Sequence, residues 1–189
     1  MSFAEVATRV RGHYLNELRT FIAQEKKGVT RGSHEVKIEL DAASPFLRHL
    51  YCVDFMKNDD GTEIVEFQPD KRFVFGPSRG NLGTMTVLVE ALSWDSLAFR
   101  FEDKLEPDVL YAWFDKWFDR NSERVNQTAE FTGNIHSAVL KEGKLSVDMG
   151  TAPVEAFLEL LGTLEKAGVK QVRITLQGDD EPPVRSAIH

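Results

Sequence analysis

The 189-residue sequence predicts an α+β fold, a largely antiparallel sheet of about eight or nine strands with three helices. Three observations carry that expectation. Residues 34–103 alternate apolar and polar side chains with the period of two that marks a sheet with one wet face. Three other segments repeat apolar residues at spacings of three and four. Asp-Gly, Glu-Gly and proline signals fall at the joins between these patterns.

Ser2 followed by Glu5 forms an S-x-x-E capping box, in which each side chain satisfies an amide that the first helical turn leaves free. A helix is therefore expected from there to about Lys26, with Phe3, Ala7, Val10, Tyr14, Leu18 and Phe21 on one stripe, ended by Gly28 and Gly32. "HEVKIELD" then alternates, with Val36, Ile38 and Leu40 expected inward and Glu35, Lys37 and Glu39 outward. Two apolar runs joined by Asp60-Gly61 read as a tight hairpin. After Pro69, "RFVF" reads as a short strand leading into the glycine loop "GPSRGNLG", and "TMTVLVEAL" with "SLAFRFED" as a further hairpin.

From Pro107 the period changes from two to 3.6. Leu110, Tyr111, Trp113, Phe114, Trp117 and Phe118 fall within an arc of about 160° at about 100° per residue, a wide aromatic face. "IHSAVL" and "KLSVDM", joined by Glu142-Gly143, read as another hairpin. Pro153 opens a last helix that Gly168 stops, and "QVRITL" follows as a strand, completing a C-terminal β-α-β unit. Laying residues 97–114 over 143–160 matches strand faces, prolines and helix faces. A repeated hairpin-helix unit and a chance likeness of common motifs both account for that match. One α+β domain is expected over residues 1–177, divisible into packed halves 1–122 and 133–177, with a flexible tail at 178–189 that has little to bury.

The formal net charge of −7 makes the surface acidic and disfavours nucleic acid, whose binding depends on Lys and Arg displacing condensed counterions. The single cysteine, Cys52, leaves no intrachain disulfide and suits a reducing compartment. No apolar run approaches the length of a membrane span, so no membrane association is expected and the chain reads as cytoplasmic.

The loop at 76–83 lacks the Gly-Lys-Ser/Thr entry into a helix that a phosphate loop needs, and it reads chiefly as a turn. Arg79, Gly80 and Asn81 are its candidate ligand-binding residues, an anion nest being the functional alternative. His49, Cys52 and Asp54 lie close in sequence, yet strand alternation puts Cys52 and Asp54 on one face and His49 on the other. Cys52 then reads as a small buried hydrophobe. His13, His34 and His136 stand apart with no H-x-H or H-x-x-x-H spacing, so neither a metal site nor a cofactor is expected, and no catalytic residue is assigned. Glu66, Glu90, Glu102 and Asp148 sit in strand segments, where an inward carboxylate needs a partner; Arg72, Arg100 and Arg173 are the candidates.

The leading functional expectation is a non-catalytic binding protein that meets a protein partner or a second copy of itself, as in a homodimer, through Tyr111, Trp113 and Trp117. The alternative is a small-molecule-binding protein or enzyme with a pocket between sheet and helices bordered by the 76–83 loop. A roomy pocket with convergent polar groups favours the second, and an exposed apolar patch over a filled interior favours the first.

Overall fold

A computed structural model describes residues 2–69, 73–124, 126 and 128–178. The expected tail from Asp179 onward, Lys71 and Arg72 lie outside the described residues. The described chain is α+β, with three α-helices and nine strands, mostly antiparallel. The strands form two sheets, not a single extended one, three in one and six in the other.

Helix α1 (Phe3–Lys27) begins with the expected capping box: Glu5 N–H donates to Ser2 Oγ at 3.2 Å, and Ser2 N–H donates to Glu5 Oε2 at 2.6 Å. It buries Val6, Ala7, Val10, Tyr14, Leu18 and Ile22. The small sheet runs β1 (Gly32–Glu39), β2 (Leu50–Lys57), β3 (Glu63–Val65), all antiparallel, with Lys57 opposite Glu63 across the expected Asp60-Gly61 turn.

The large sheet contains β4 (Ser78–Leu82), β5 (Met85–Val89), β6 (Leu97–Arg100), β7 (Ser137–Lys141), β8 (Lys144–Asp148) and β9 (Gln171–Leu176), in the order β4-β5-β9-β6-β8-β7. Two expectations need correction. Residues 73–77 form no strand, and the glycine-loop residues 78–82 do, pairing with β5 around Gly83 at φ 54°. Strands β5 and β6 do not pair as a hairpin either, because β9 inserts between them, parallel to β5 and antiparallel to β6. That last strand carries Val172, Ile174 and Leu176 into the sheet interior, and a sheet centre buries them better than an edge would.

The β7–β8 hairpin forms as expected, with Glu142 (φ 35°) and Gly143 (φ 74°) supplying the two left-handed residues of a tight turn. Helix α3 (Val154–Lys166) joins β8 to the parallel strand β9, with β6 lying between the two strands. Helix α2 (Asp108–Phe118) lies along α3: Trp113 Nε1 donates to the Ala156 carbonyl at 2.9 Å and Trp117 Nε1 to Glu159 Oε2 at 2.8 Å. The core is one cluster drawn from all three helices and both sheets. None of the described helices is long and apolar enough to cross a membrane.

Candidate functional site

Two polar regions stand out, and both depend on how the small sheet meets the rest of the molecule. The first is a surface cleft of about 720 Å³ between the β1–β2 connection, the C-terminal end of α2 and β7. Phe46, Leu50, Phe118 and Leu140 give it an apolar lining, and Arg48, His49, Asp115, Arg120 and Glu123 give it charge. Arg48 and His49 sit in a short 3-10 turn over Leu47–His49, yet both have left-handed backbone, φ 56° and 53°. Non-glycine residues there carry strain of about 1–3 kcal/mol each, so the surrounding structure must hold them. Arg48 is held by a bidentate pair with Asp115 at 3.1 and 2.7 Å, and its guanidinium lies 3.9 Å from the centre of the Tyr111 ring. Arg120, which also lines the cleft, pairs with Glu39 at 2.6 Å. Both pairs are solvent-exposed.

The C-terminal end of α2 is fixed from inside. Asp119 takes a left-handed conformation, φ 50°, and its carboxylate accepts the amides of Glu123 and Arg124 at 2.9 and 3.0 Å. Lys37 donates to the Asp119 carbonyl, and Arg124 stacks 4.7 Å from the Trp117 ring. The cleft wall is thereby braced against both the small sheet and the core.

The second region is a buried ion cluster at the seam between the sheets. His136, with no exposed surface, precedes β7 and points back at the small sheet. Its Nδ1 lies 3.0 Å from Asp54 Oδ1 and 3.9 Å from Asp148 Oδ2, and its Nε2 lies 3.5 Å from Glu35 Oε1. Neither ring nitrogen makes a well-aligned hydrogen bond, so the attraction is chiefly one of charge. Glu35 is buried in β1, opposite expectation, while Val36 and Ile38 are only half-buried. Its left-handed backbone, φ 52°, breaks the strand alternation there, and its carboxylate accepts Thr132 N–H at 2.8 Å, Thr132 Oγ1 at 2.6 Å and Thr151 Oγ1 at 2.5 Å. A buried charge is tolerated because it is thoroughly partnered.

These surroundings set the protonation states. Burial alone would push Glu35 up, but the His136 contact and charge and the two threonine hydroxyls bring it down to about 2. His136 is raised well above its usual value: burial opposes the imidazolium, and the Cys52 sulfur first, then Asp148, Asp54 and Glu35, favour it. The Cys52 thiol, pushed up to about 12 by burial, stays neutral and adds no charge near pH 7. Burial pushes Asp148 up to about 8, His136 opposing the rise and Asp54 adding to it. Asp148 keeps an edge in water, its side chain 18% exposed. Glu66 is an exposed residue whose carboxyl meets Asp54 and Tyr51, and burial of that carboxyl end together with the charge of Asp54 pushes it up to about 7, a shift that its exposure to water softens. Glu35 and His136 are thus ionised near neutrality, while of the two outer carboxyls Asp148 holds its proton and Glu66 is midway through releasing its own.

The expected site residues fall elsewhere or inward. Arg79, Gly80 and Asn81 run extended along β5 opposite Leu88, Val87 and Thr86, with the position of a Gly80 side chain taken by the Phe3 ring at 2.9 Å. None of them borders the cleft. Trp113 and Trp117 are 2% and 6% exposed and pack within the chain; Tyr111 alone of the three lines the cleft. Of the strand carboxylates, Glu90 pairs with Arg173 at 2.7 Å, and Arg100 donates to Thr175 Oγ1 at 3.1 Å. Cys52 is buried, and Asp54 beside it meets a histidine, but His136 in place of His49.

Among the described residues no group of three or more His, Cys, Asp or Glu side chains is disposed to hold a metal ion. Comparison of the chain with protein-family models, with curated proteins and with solved structures finds no match.

Proposed function

We propose that this chain is a cytoplasmic small-molecule-binding protein whose ligand, apolar over most of its body and carrying one carboxylate or phosphate, docks in the cleft between the β1–β2 connection and α2. The observation that carries the reading is the cleft itself: about 720 Å³ lined by apolar side chains together with Arg48, His49, Asp115, Arg120 and Glu123. Ligand sites commonly span about 300–1,000 Å³ and are built in this way.

Arg48 is the anion's partner in this reading. Its pair with Asp115 is exposed, and such pairs are worth about 0–1 kcal/mol, so an incoming anion exchanges with Asp115 at little cost. The Tyr111 ring keeps the guanidinium in place during that exchange. The strained backbone of Arg48 and His49 supports the reading, since conformations of that kind concentrate where a ligand is held. A protein-docking role for the aromatic helix has less behind it, because Trp113 and Trp117 are spent on the chain's own core. The exposed large apolar residues Ile64, Val74, Leu82, Val109 and Leu158 come from several elements.

A thermal-shift and calorimetric comparison tests this. Octanoate, phenylacetate and phenyl phosphate are set against octanamide and phenylacetamide, on the wild type and Arg48→Ala. At least one anion should raise Tm and its uncharged counterpart should not. Arg48→Ala should weaken that anion by about tenfold to a hundredfold, the loss expected for a charge-assisted hydrogen bond. No stabilisation by any of the three anions at millimolar concentration, or undiminished affinity in Arg48→Ala, rejects the reading.

A further inference from the structure

The ion cluster lies at the seam between the small sheet and the large one, within the polar edge of the core that both sheets share. At this seam the backbone links are Cys52 N–H to the His136 carbonyl at 2.8 Å and an isolated bridge between Phe46 and Val139. The rest is side-chain contact, the apolar packing of the shared core and the polar group of His136 between Glu35, Asp54 and Asp148.

We propose that this cluster is a proton-operated latch: with its outer carboxyls protonated it holds β1–β3 against β7–β8, and as those protons leave, accumulated negative charge loosens the seam. The inference stands apart from the cleft reading, for none of Glu35, Asp54, Glu66, His136 and Asp148 lines the cleft.

The charges that face the cluster come from every element around it. From β1 come Glu35 and, behind it, Lys37; from β2, Tyr51, Cys52 and Asp54. Past β3 stands Glu66, before β6 Asp95, and in α1 the buried phenol of Tyr14, which burial keeps neutral. Arg11 reaches toward the same end of β8, but its guanidinium is committed to the Thr151 and Ala152 carbonyls at 3.0 and 2.7 Å. Lys37 is likewise committed, to the Asp119 carbonyl and Ser122.

When Asp148 and Glu66 are protonated, Glu35 and Asp54 flank one imidazolium. When both are ionised, two further negative charges gather beside that one positive charge, with water reaching them from the Asp148 and Glu66 edge. Repulsion then acts across the seam, since Glu35 and Asp54 belong to the small sheet and Asp148 to the large one, with His136 just before β7. The two sheets have no continuous ladder here to resist it.

Hydrogen exchange followed by mass spectrometry tests the latch on the full chain between pH 6.5 and 9, with rates corrected for intrinsic exchange. Protection of β1–β2 peptides, divided by protection of β5–β9 peptides in the same sample, should fall at least about tenfold over that range, the effect of about one proton released on opening. Asp148→Asn retains an acceptor for Gly150 N–H, now at 2.8 Å from Asp148 Oδ1, and should remove most of that fall. A ratio that stays constant with pH in the wild type overturns the latch, as does an Asp148→Asn chain that shows the wild-type fall. Should Asp148→Asn not fold, Glu66→Gln takes its place: a reduced fall supports the latch and an undiminished one overturns it.

Discussion

The cleft and the seam cluster contain similar side chains in opposite surroundings. At the cleft, Arg48 pairs with Asp115 at 2.7 Å and Arg120 with Glu39 at 2.6 Å, yet water reaches all four. In the seam, His136 and Glu35 lie 3.5 Å apart with almost no exposed surface. Distance alone would rank the cleft pairs as the stronger. Desolvation reverses the ranking of what happens when one partner is lost: an exposed partner returns to water, whereas a buried one has nowhere to place its charge. The cleft is therefore suited to exchanging partners with a ligand and the seam to holding two sheets together.

The largest effect is expected from removing the inner carboxylate. Glu35→Ala strands the His136 charge and three donors from Thr132 and Thr151, and breaking a buried pair in this way costs about 3–5 kcal/mol. Asp115→Ala in the cleft should cost less than about 1 kcal/mol. Urea unfolding of both variants at pH 7 makes the comparison; equal costs would break the distinction between the two regions. Gly150→Ala comes next. A methyl there meets the His136 ring at 2.1 Å on a backbone with φ 50°, so about 1–3 kcal/mol is expected from strain, with overpacking adding to it, whereas Gly12→Ala, whose Cβ meets open space inside α1, is the contrasting control and should stabilise by about 0.5–1 kcal/mol.

How much of this could be read in the sequence depends on the range over which each signal acts. Local signals held: the Ser2–Glu5 capping box, the Asp60-Gly61 and Glu142-Gly143 turns and the wide face of α2 are set by residues a few positions apart. The pairing of β5 failed because its neighbours were decided by β9, more than eighty residues on, whose apolar pattern takes the central place between β5 and β6. The inward turn of Glu35 failed for a related reason. Its strand alternates without a fault, and only His136, Thr132 and Thr151, about a hundred residues away, make a buried carboxylate tolerable there. Two signals did point to the seam, the suspicion that Asp148 and Glu66 needed partners and the shared face of Cys52 and Asp54. No local spacing named His136. The cleft left less trace still, since left-handed backbone at Arg48 and His49 has no signature in residues that ordinarily avoid it.

A pH dependence of intermediate size separates the regions further. His136, raised above 6.5, and Asp148, raised from 3.8 to about 8, add stability that is complete below those ordinary values and lost as pH climbs through the raised ones. Glu35, lowered from 4.5 to about 2, adds stability above pH 4.5 that is lost on acidification toward 2. Stability from the seam should therefore peak near pH 4 and decline toward pH 8–9 by up to about 1.4 kcal/mol per pH unit for each proton released. Urea midpoints from pH 5 to 9 measure this, and a curve that is flat or rises over pH 6–8 breaks the assignment. Asp115→Ala should leave the shape of that curve unchanged, because its pair is exposed.

The smallest effect on stability is expected at Arg48, and its direction is informative. Arg48→Gly removes an exposed ion pair worth about 0–1 kcal/mol and a ring contact of about 0.5–1 kcal/mol at such a site. It also relieves a left-handed residue that an L side chain holds at a cost of about 1–2 kcal/mol. The two sides nearly cancel, so the unfolding midpoint should shift by less than about 0.5 kcal/mol in either direction, even though the variant loses the same guanidinium as Arg48→Ala. Arg48→Ala keeps the strain and loses the contacts, and it should be the less stable of the two by about 1 kcal/mol. If both variants lose stability equally, the left-handed turn costs nothing and the cleft wall is ordinary surface. If they separate as expected, the native chain keeps a strained arginine where glycine would serve the fold as well, which is a reason to look for what that arginine holds.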